Sequence, residues 1–297
     1  MLSTVNKIGD SPENSAVCCV FDRNSGRKEI IYSIAQQDAK YAIRRPNSGL
    51  YHYFCTESEE LLPYPRLTVD QTDNIIVVGP PGCGKSWFSR DFAFAYHYCY
   101  PTRRIYLISA KQTDKAFDPH SFITRIHPQD VDRHALLNDD DSEEEDDDDD
   151  DSQAAEEPKK KRRKLSKRVF KPIEHFKDSL YIFDDIVTIS PEKTKKLVKD
   201  FKNMLSKLGR ASNVALIFCT QNMLQYNQSR DEINELTKYV FFPARMKKHT
   251  YNYFKNYLHL EKEAIELLLA SDQNRWKMVN ITAPVTVVTS KECFILD

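Results

Sequence analysis

Short, continuous apolar runs alternate along the chain with longer stretches whose apolar residues recur every three or four positions. Asn74 to Val78, Arg104 to Ile108, Leu180 to Phe183, Val214 to Cys219 and Tyr239 to Phe242 are of strand length and apolar almost throughout. That is the pattern of strands buried on both faces of a parallel sheet. Between them, Ser86 to Tyr98, Pro191 to Leu208 and Arg230 to Thr237 read as helices. In the second, Leu197, Phe201, Leu205 and Leu208 follow helical spacing, so one face packs on the sheet. Ser190 is its expected N-cap, with Pro191 in the first helical position and Glu192 near the positive end of the dipole. Lys195, Lys199 and Lys202 lie on the remaining surface, either simply solvated or in contact with a polyanion. Upstream, Ala16 to Phe21 and Glu29 to Ile34 flank Asn24-Ser25-Gly26 as two β runs. The expectation is an α/β domain with a mostly parallel sheet over residues 71–297, preceded by a small β-rich annex over 1–70.

One segment breaks the alternation. Residues 139–157 hold 14 acidic residues and no base, and 159–171 hold nine Lys/Arg and no acid. Neither half can bury enough apolar area to offset its ordering entropy, so 136–172 is read as a disordered insert. Its run Pro158-Lys159-Lys160-Lys161-Arg162-Arg163-Lys164 resembles a nuclear import signal, the alternative being a linker whose halves neutralise each other. The 297 residues carry 43 Lys+Arg against 44 Asp+Glu, and setting the insert's nine and fourteen aside leaves 34 basic against 30 acidic. That excess is too small to establish a nucleic-acid partner. The polar start from Met1 to Ala16 lacks the apolar core of a secretory signal, and no apolar run approaches a membrane span. Seven cysteines, odd in number and without C-x-x-C spacing, argue against a zinc ribbon and a disulfide framework. The expected setting is a reducing compartment, cytosol or nucleus, with no secretion and no membrane partner.

The chemistry begins at Gly79-Pro80-Pro81-Gly82-Cys83-Gly84-Lys85-Ser86, which fits G-x-x-x-x-G-K-[ST] directly after a strand and before a helix. Three of the chain's seven glycines fall here. Phosphate oxygens need converging N–H groups free of Cβ obstruction at a helix N-terminus. Lys85 is expected on the β/γ-phosphates of ATP and Ser86 on Mg2+. An acidic residue on a neighbouring strand must also complete the metal shell, and Leu180-Tyr181-Ile182-Phe183-Asp184-Asp185 supplies a buried strand ending in two acids. Asp184 is the metal-side carboxylate and Asp185 the group that orients or deprotonates water. Val214 to Cys219 ends in Thr220-Gln221-Asn222, at the strand edge where open α/β sheets place ligands. Gln221 either holds the lytic water, senses the γ-phosphate, or merely caps a loop. Arg210, in Gly209-Arg210-Ala211, is either a surface arginine or a finger reaching a neighbouring subunit's γ-phosphate. Cys83 is read as a tolerated small residue and Trp87 as packing behind the loop. The histidines show no metal-ligand spacing.

The phosphate loop, the Asp-Asp strand end and the run Leu205-Ser206-Lys207-Leu208-Gly209-Arg210-Ala211-Ser212-Asn213-Val214 through Gln221-Asn222 together resemble the FtsK/HerA superfamily of DNA-pumping ATPases. Within it the chain is similar to the virion DNA-packaging ATPases of poxviruses and other large nucleocytoplasmic DNA viruses. The resemblance covers residues 72–110 and 178–245. It implies a RecA-like core, a ring of six subunits, ATP·Mg2+ hydrolysis between subunits, translocation of double-stranded DNA and a capsid or portal-like partner. Lys85, Ser86, Asp184, Asp185 and Gln221 inherit the loop, metal, base and sensor roles, and Arg210 matches the turn arginine. Relatives often carry I-R-x-N after the sensor, whereas this chain has Arg230-Asp231-Glu232-Ile233-Asn234.

Other nucleotide chemistries are thinned by what is missing. A GTPase needs D-x-x-G and N-K-x-D, but Asp184-Asp185-Ile186-Val187 lacks the glycine and Asn6-Lys7-Ile8-Gly9 lacks the aspartate. A small-molecule kinase and an AAA-type protein remodeller stay open, to be separated by acceptor dependence and DNA dependence.

Overall fold

A computed structural model describes residues 2–3, 15–33, 52–65, 72–137, 169–221, 234–243, 247–270, 275–281 and 285–296. Strands β1 (Leu2–Ser3), β2 (Ser15–Asp22), β3 (Lys28–Ser33), β4 (His52–Phe54), β5 (Glu59–Pro63) and β6 (Asn74–Val78) precede helix α1 (Lys85–Cys99). Next come β7 (Arg104–Ser109), β8 (Ile123–Ile126) and the short α2 (Val131–Ala135), then β9 (Ser179–Asp184), α3 (Glu192–Leu208), β10 (Val214–Thr220) and β11 (Lys238–Phe241). Helices α4 (Lys247–Asn256) and α5 (Lys262–Leu269) lead to β12 (Lys277–Asn280), β13 (Thr286–Thr289) and β14 (Glu292–Ile295).

Ten strands form the main sheet in the order β4-β14-β13-β12-β11-β6-β10-β9-β7-β8. From β11 to β8 every pairing is parallel, and from β11 outward to β4 every pairing is antiparallel. The parallel part, with β10 between β6 and β9, is the expected RecA-like core. Alternation along each strand divides the sheet between two cores. Ile76, Val78, Tyr181, Phe183 and Phe218 face a core shared with Phe201 of α3 and Phe254 of α4. Ile75, Val77, Leu180, Ile182 and Ile217 face Phe88, Phe92 and Tyr96 of α1. A second, four-stranded antiparallel sheet, β1-β3-β2-β5, adds Val17, Cys18, Val20, Ile31 and Leu61 to the α1 side.

Three boundaries differ from the sequence reading. The N-terminal annex is not self-contained: β4, inside residues 1–70, pairs with β14 at the edge of the main sheet. The ends of the stretch read as insert belong to the fold, because Leu136 bridges Phe170 and the Phe170 ring stacks on Phe201 at 6.0 Å. The acidic block and the basic run 159–168 lie outside the described residues, as does the first half, 230–233, of the expected helix 230–237. Helix α3 starts at Glu192 with Pro191 as N-cap, so Ser190 does not cap it. Lys202 is not a surface residue but is 6% exposed, its ammonium 4.7 Å from the centre of the Phe218 ring. No helix among the described residues is long and apolar enough to cross a membrane.

His134 of α2 shows how tightly this wall of the sheet is sealed. Its Nε2 lies 2.7 Å from the Tyr181 hydroxyl, and the ring packs against Tyr106, Phe176 and Phe201. Burial, helped by Lys171 and Arg104, pushes the imidazole down to about 4 from its usual 6.5. The folded state thus favours the neutral ring. Its contribution to stability is complete above pH 6.5 and is lost as pH falls from there towards 4. Denaturant titrations are expected to show stability falling across that window by at most about 1.4 kcal/mol per pH unit from this group. His134→Gln should flatten that component.

Candidate functional site: a phosphate loop facing paired acids

The loop Gly79–Ser86 joins β6 to α1 at the C-terminal edge of the parallel strands. Gly84 caps α1 at φ 116°, and Gly82 has φ 72°, a region in which side-chain-bearing residues are strained. A Cβ on Gly79 would come within 2.5 Å of Cys83 Sγ and 2.8 Å of the Phe242 ring. Cys83 is buried, with its sulfur against Gly79 under the loop. Cys83 N–H donates to the Pro80 carbonyl at 3.4 Å, leaving Pro81 and Gly82 at the exposed tip. Lys85 Nζ donates to the carbonyls of Gly79 at 2.7 Å and Pro80 at 3.0 Å. A bound phosphate would compete with those carbonyls for the ammonium.

Asp184 ends β9, two strands from β6, with its side chain 2% exposed. Ser86 Oγ donates to Asp184 Oδ2 at 3.1 Å, which joins the loop to the acid strand across β10. Behind the carboxylate, burial and Asp184 itself push the Cys219 thiol well up, and its sulfur contacts Ser89 Oγ at 3.4 Å. Asp185 turns out of the strand with φ 56°, and its side chain is 30% exposed, placing the second acid at the open side of the site.

Two residues of the site escaped the sequence reading. Lys111, just beyond β7, places Nζ 3.0 Å from Asp184 Oδ2, 3.3 Å from Asp185 Oδ2 and 3.3 Å from Asp114 Oδ2. Burial works against its charge, but the carboxylates, Asp184 foremost, outweigh it and hold the ammonium well above its usual range. Arg275, just before β12, sets Nε 3.4 Å from the Cys83 carbonyl and packs on Gly84. A Cβ at Gly84 would lie 3.1 Å from that guanidinium as well as demanding φ 116°. Gly84→Ala is expected to raise the Kd for ATP about tenfold or more, from backbone strain of about 1–3 kcal/mol. Titration with a fluorescent ATP analogue checks it.

Gln221 is exposed and directly follows β10, whose Thr220 carbonyl accepts from the Gly79 N–H at 3.1 Å. It thus sits beside the phosphate loop. Arg210 does not join the site of its own chain. It lies in the helical turn Gly209–Ser212, at the opposite end of β10 from the loop. Gly209 is required there because a Cβ would approach Val214 Cβ at 2.9 Å. Trp87 does not pack behind the loop: it is 45% exposed, with the Arg90 guanidinium 4.2 Å over its ring.

The donor set suits Mg2+. Ser86 Oγ and Lys111 Nζ converge on one oxygen of Asp184, so a cation already stands against the carboxylate that would take the metal. Among the described residues no cluster of three or more His, Cys, Asp or Glu forms a metal cage. Ser86 Oγ and the Asp184 carboxylate could offer a Mg2+ ion that arrives with nucleotide phosphates one hydroxyl and one carboxylate.

Among curated proteins, the uncharacterized protein V3 of Sputnik virophage is 30% identical over 118 residues, 39% of this chain. The match takes in about half of that relative, 47% of its length. Among solved structures, the genome-packaging NTPase B204 of Sulfolobus turreted icosahedral virus 2, in complex with ATP-γS, aligns with TM-score 0.42 and 12% identity, over 74% of this chain and 97% of that one. The pCW3 conjugation coupling protein TcpA aligns with TM-score 0.45 and 13% identity, over 93% and 77%. A family model described as "ATPase: KaiC" matches residues 68–256, more than half of the chain and the whole span from β6 to α4. The chain belongs to this KaiC ATPase family.

Proposed function

We propose that the protein is a Mg2+-dependent ATPase that moves double-stranded DNA, as a homo-oligomeric ring of six subunits, to package a viral genome through a capsid or portal-like partner. The observation that carries the hydrolytic part is the convergence of Lys85, Ser86, Asp184 and Asp185 at one sheet edge. The DNA part rests on the FtsK/HerA resemblance of the run from Leu205 to Asn222. Exposed Lys193, Lys196 and Lys207 on α3 suit sequence-independent contact with phosphates.

In this reading the loop's N–H groups and Lys85 hold the β- and γ-phosphates, and Ser86 and Asp184 hold Mg2+. The metal would offset charge on the transferring phosphoryl oxygens. Asp185 orients and deprotonates water at the open side of the site, and Gln221 contacts the water or the γ-phosphate. Arg210, placed away from its own loop, acts on the neighbouring subunit's nucleotide. The basic run 159–168 serves as an import signal for a nuclear import receptor. A reporter fused to residues 155–172 that stays cytoplasmic would remove that component.

The test is the steady-state ATPase rate without nucleic acid, with single-stranded DNA and with long duplex. Stimulation by duplex several-fold above the other two, falling steeply with added salt, is expected. A rate indifferent to DNA would overturn the translocase and favour a protein-remodelling ATPase.

A further inference from the structure

Lys111 belongs to none of the motifs, yet its ammonium touches both acids of the site. It contacts Asp184 Oδ2 at 3.0 Å, the oxygen that also accepts from Ser86 Oγ, together with Asp185 Oδ2 at 3.3 Å and Asp114 Oδ2 at 3.3 Å. Three carboxylates this close repel one another unless a cation lies among them. The lysine is held from behind: its N–H donates to Ser109 Oγ at 3.3 Å, and its carbonyl accepts from Arg125 of β8 at 2.8 Å. Asp114 is fixed in the same loop, where Oδ1 accepts from the Ala116 N–H at 2.9 Å and the Asp114 N–H donates to Asp118 at 2.6 Å. Arg125 pairs with Asp118 and so ties this loop to β8.

We propose that Lys111 is a positioning residue of the ATPase site, an internal cation that holds Asp184 and Asp185 together at the point Mg2+ takes and must leave Asp184 when the metal arrives with nucleotide. The proposal rests on the ATPase reading above and deepens it. An ammonium and a divalent ion cannot share one carboxylate oxygen at about 3 Å without strong repulsion. The lysine's four-carbon stem is flexible, and Asp114 remains as a partner on the same loop, so the ammonium has somewhere to go. Two consequences follow. Free divalent metal binds poorly without nucleotide, because it must displace a charge already paired. Arrival of metal-nucleotide also frees Asp185 from the ammonium, leaving its carboxylate available to water.

The test is Mn2+ binding to the nucleotide-free full chain, read by electron paramagnetic resonance. Wild type and Lys111→Arg are expected to bind weakly. Lys111→Met and Lys111→Gln should bind about tenfold more tightly or better, since a like charge is removed from the site. Adding Asp184→Asn to Lys111→Met should abolish the gain. Equal Mn2+ affinity in wild type and in either folded neutral variant overturns the proposal. So does tight binding by wild type that Asp184→Asn abolishes, a result that needs no lysine variant to fold. Calorimetric titration of wild type with MgATP separates the two readings, since a chain that binds no MgATP fails as an ATPase whatever manganese does.

Discussion

Asp185→Asn is expected to lower kcat for ATP hydrolysis by about 100-fold or more while leaving the Kd for ATP within about threefold, because a general base contributes that order to rate and little to ground-state binding. The substitution is unusually clean. Asp185 has a left-handed backbone, φ 56°, which asparagine tolerates almost as well as aspartate, so the turn into the segment before α3 is preserved. The side chain is isosteric and partly exposed, so no cavity opens. Lys111 keeps two of its three carboxylates, Asp184 at 3.0 Å and Asp114 at 3.3 Å. What disappears is the basicity at the open side of the site. Lys85→Ala should behave oppositely, weakening nucleotide binding itself, since the role proposed for its ammonium is to hold the phosphates. Single-turnover hydrolysis beside equilibrium binding separates the two effects. Full ATPase activity in Asp185→Asn would sink the assignment and leave Asp185 as a partner of Lys111 only.

Legibility in the sequence follows the range of the interactions. The phosphate loop, β6, β9, β10 and the helices α1 and α3 were readable because their signals are local: a glycine spacing, an apolar run, a helical period. The insertion of β10 between β6 and β9 was not, although it brings Asp184 to Ser86, because parallel pairing leaves no mark on nearby residues. The strands β12 to β14 are four-residue runs with both faces buried, so alternation offered nothing to detect. Their partner β4 lies at the far end of the chain. Arg275 reaches Gly84 only through that C-terminal sheet extension. Lys111 had one usable signal: it follows a buried strand by two residues, at the sheet edge where such folds place ligands. Nothing nearer marks it, because the two strand-end acids it meets, Asp184 and Asp185, are more than seventy positions away. Arg210 illustrates the opposite case, a residue whose motif was plain but which the fold places at the far end of β10 from the phosphate loop.

Asp73→Ala should destabilise the fold by about 3–5 kcal/mol, because it leaves a lysine ammonium in the interior without its counter-charge. Asp73 and Lys238 are both 1% exposed by side chain and meet at 2.6 Å. Asp73 stands just before β6 and Lys238 opens β11, which pairs with β6 in register at Ile75. Lys238 also donates to the Tyr64 carbonyl at 3.1 Å and lies 5.4 Å from the Phe92 ring centre, reaching the chain just past β5 and α1. One ammonium thus joins the strand that carries the phosphate loop, its neighbour, and the helix the loop caps. Thermal unfolding should drop on the order of 10 °C for a domain of this size. Lys238→Met should cost a similar amount by stranding Asp73, whereas Asp73→Leu combined with Lys238→Met should recover most of the loss, since a well-packed apolar pair replaces a buried ion pair at little cost. If the single and double variants are equally unstable, the damage is one of packing rather than of charge. If Asp73→Ala unfolds with wild type, the pair holds nothing and the union of β6 and β11 rests on backbone pairing and the apolar cores alone.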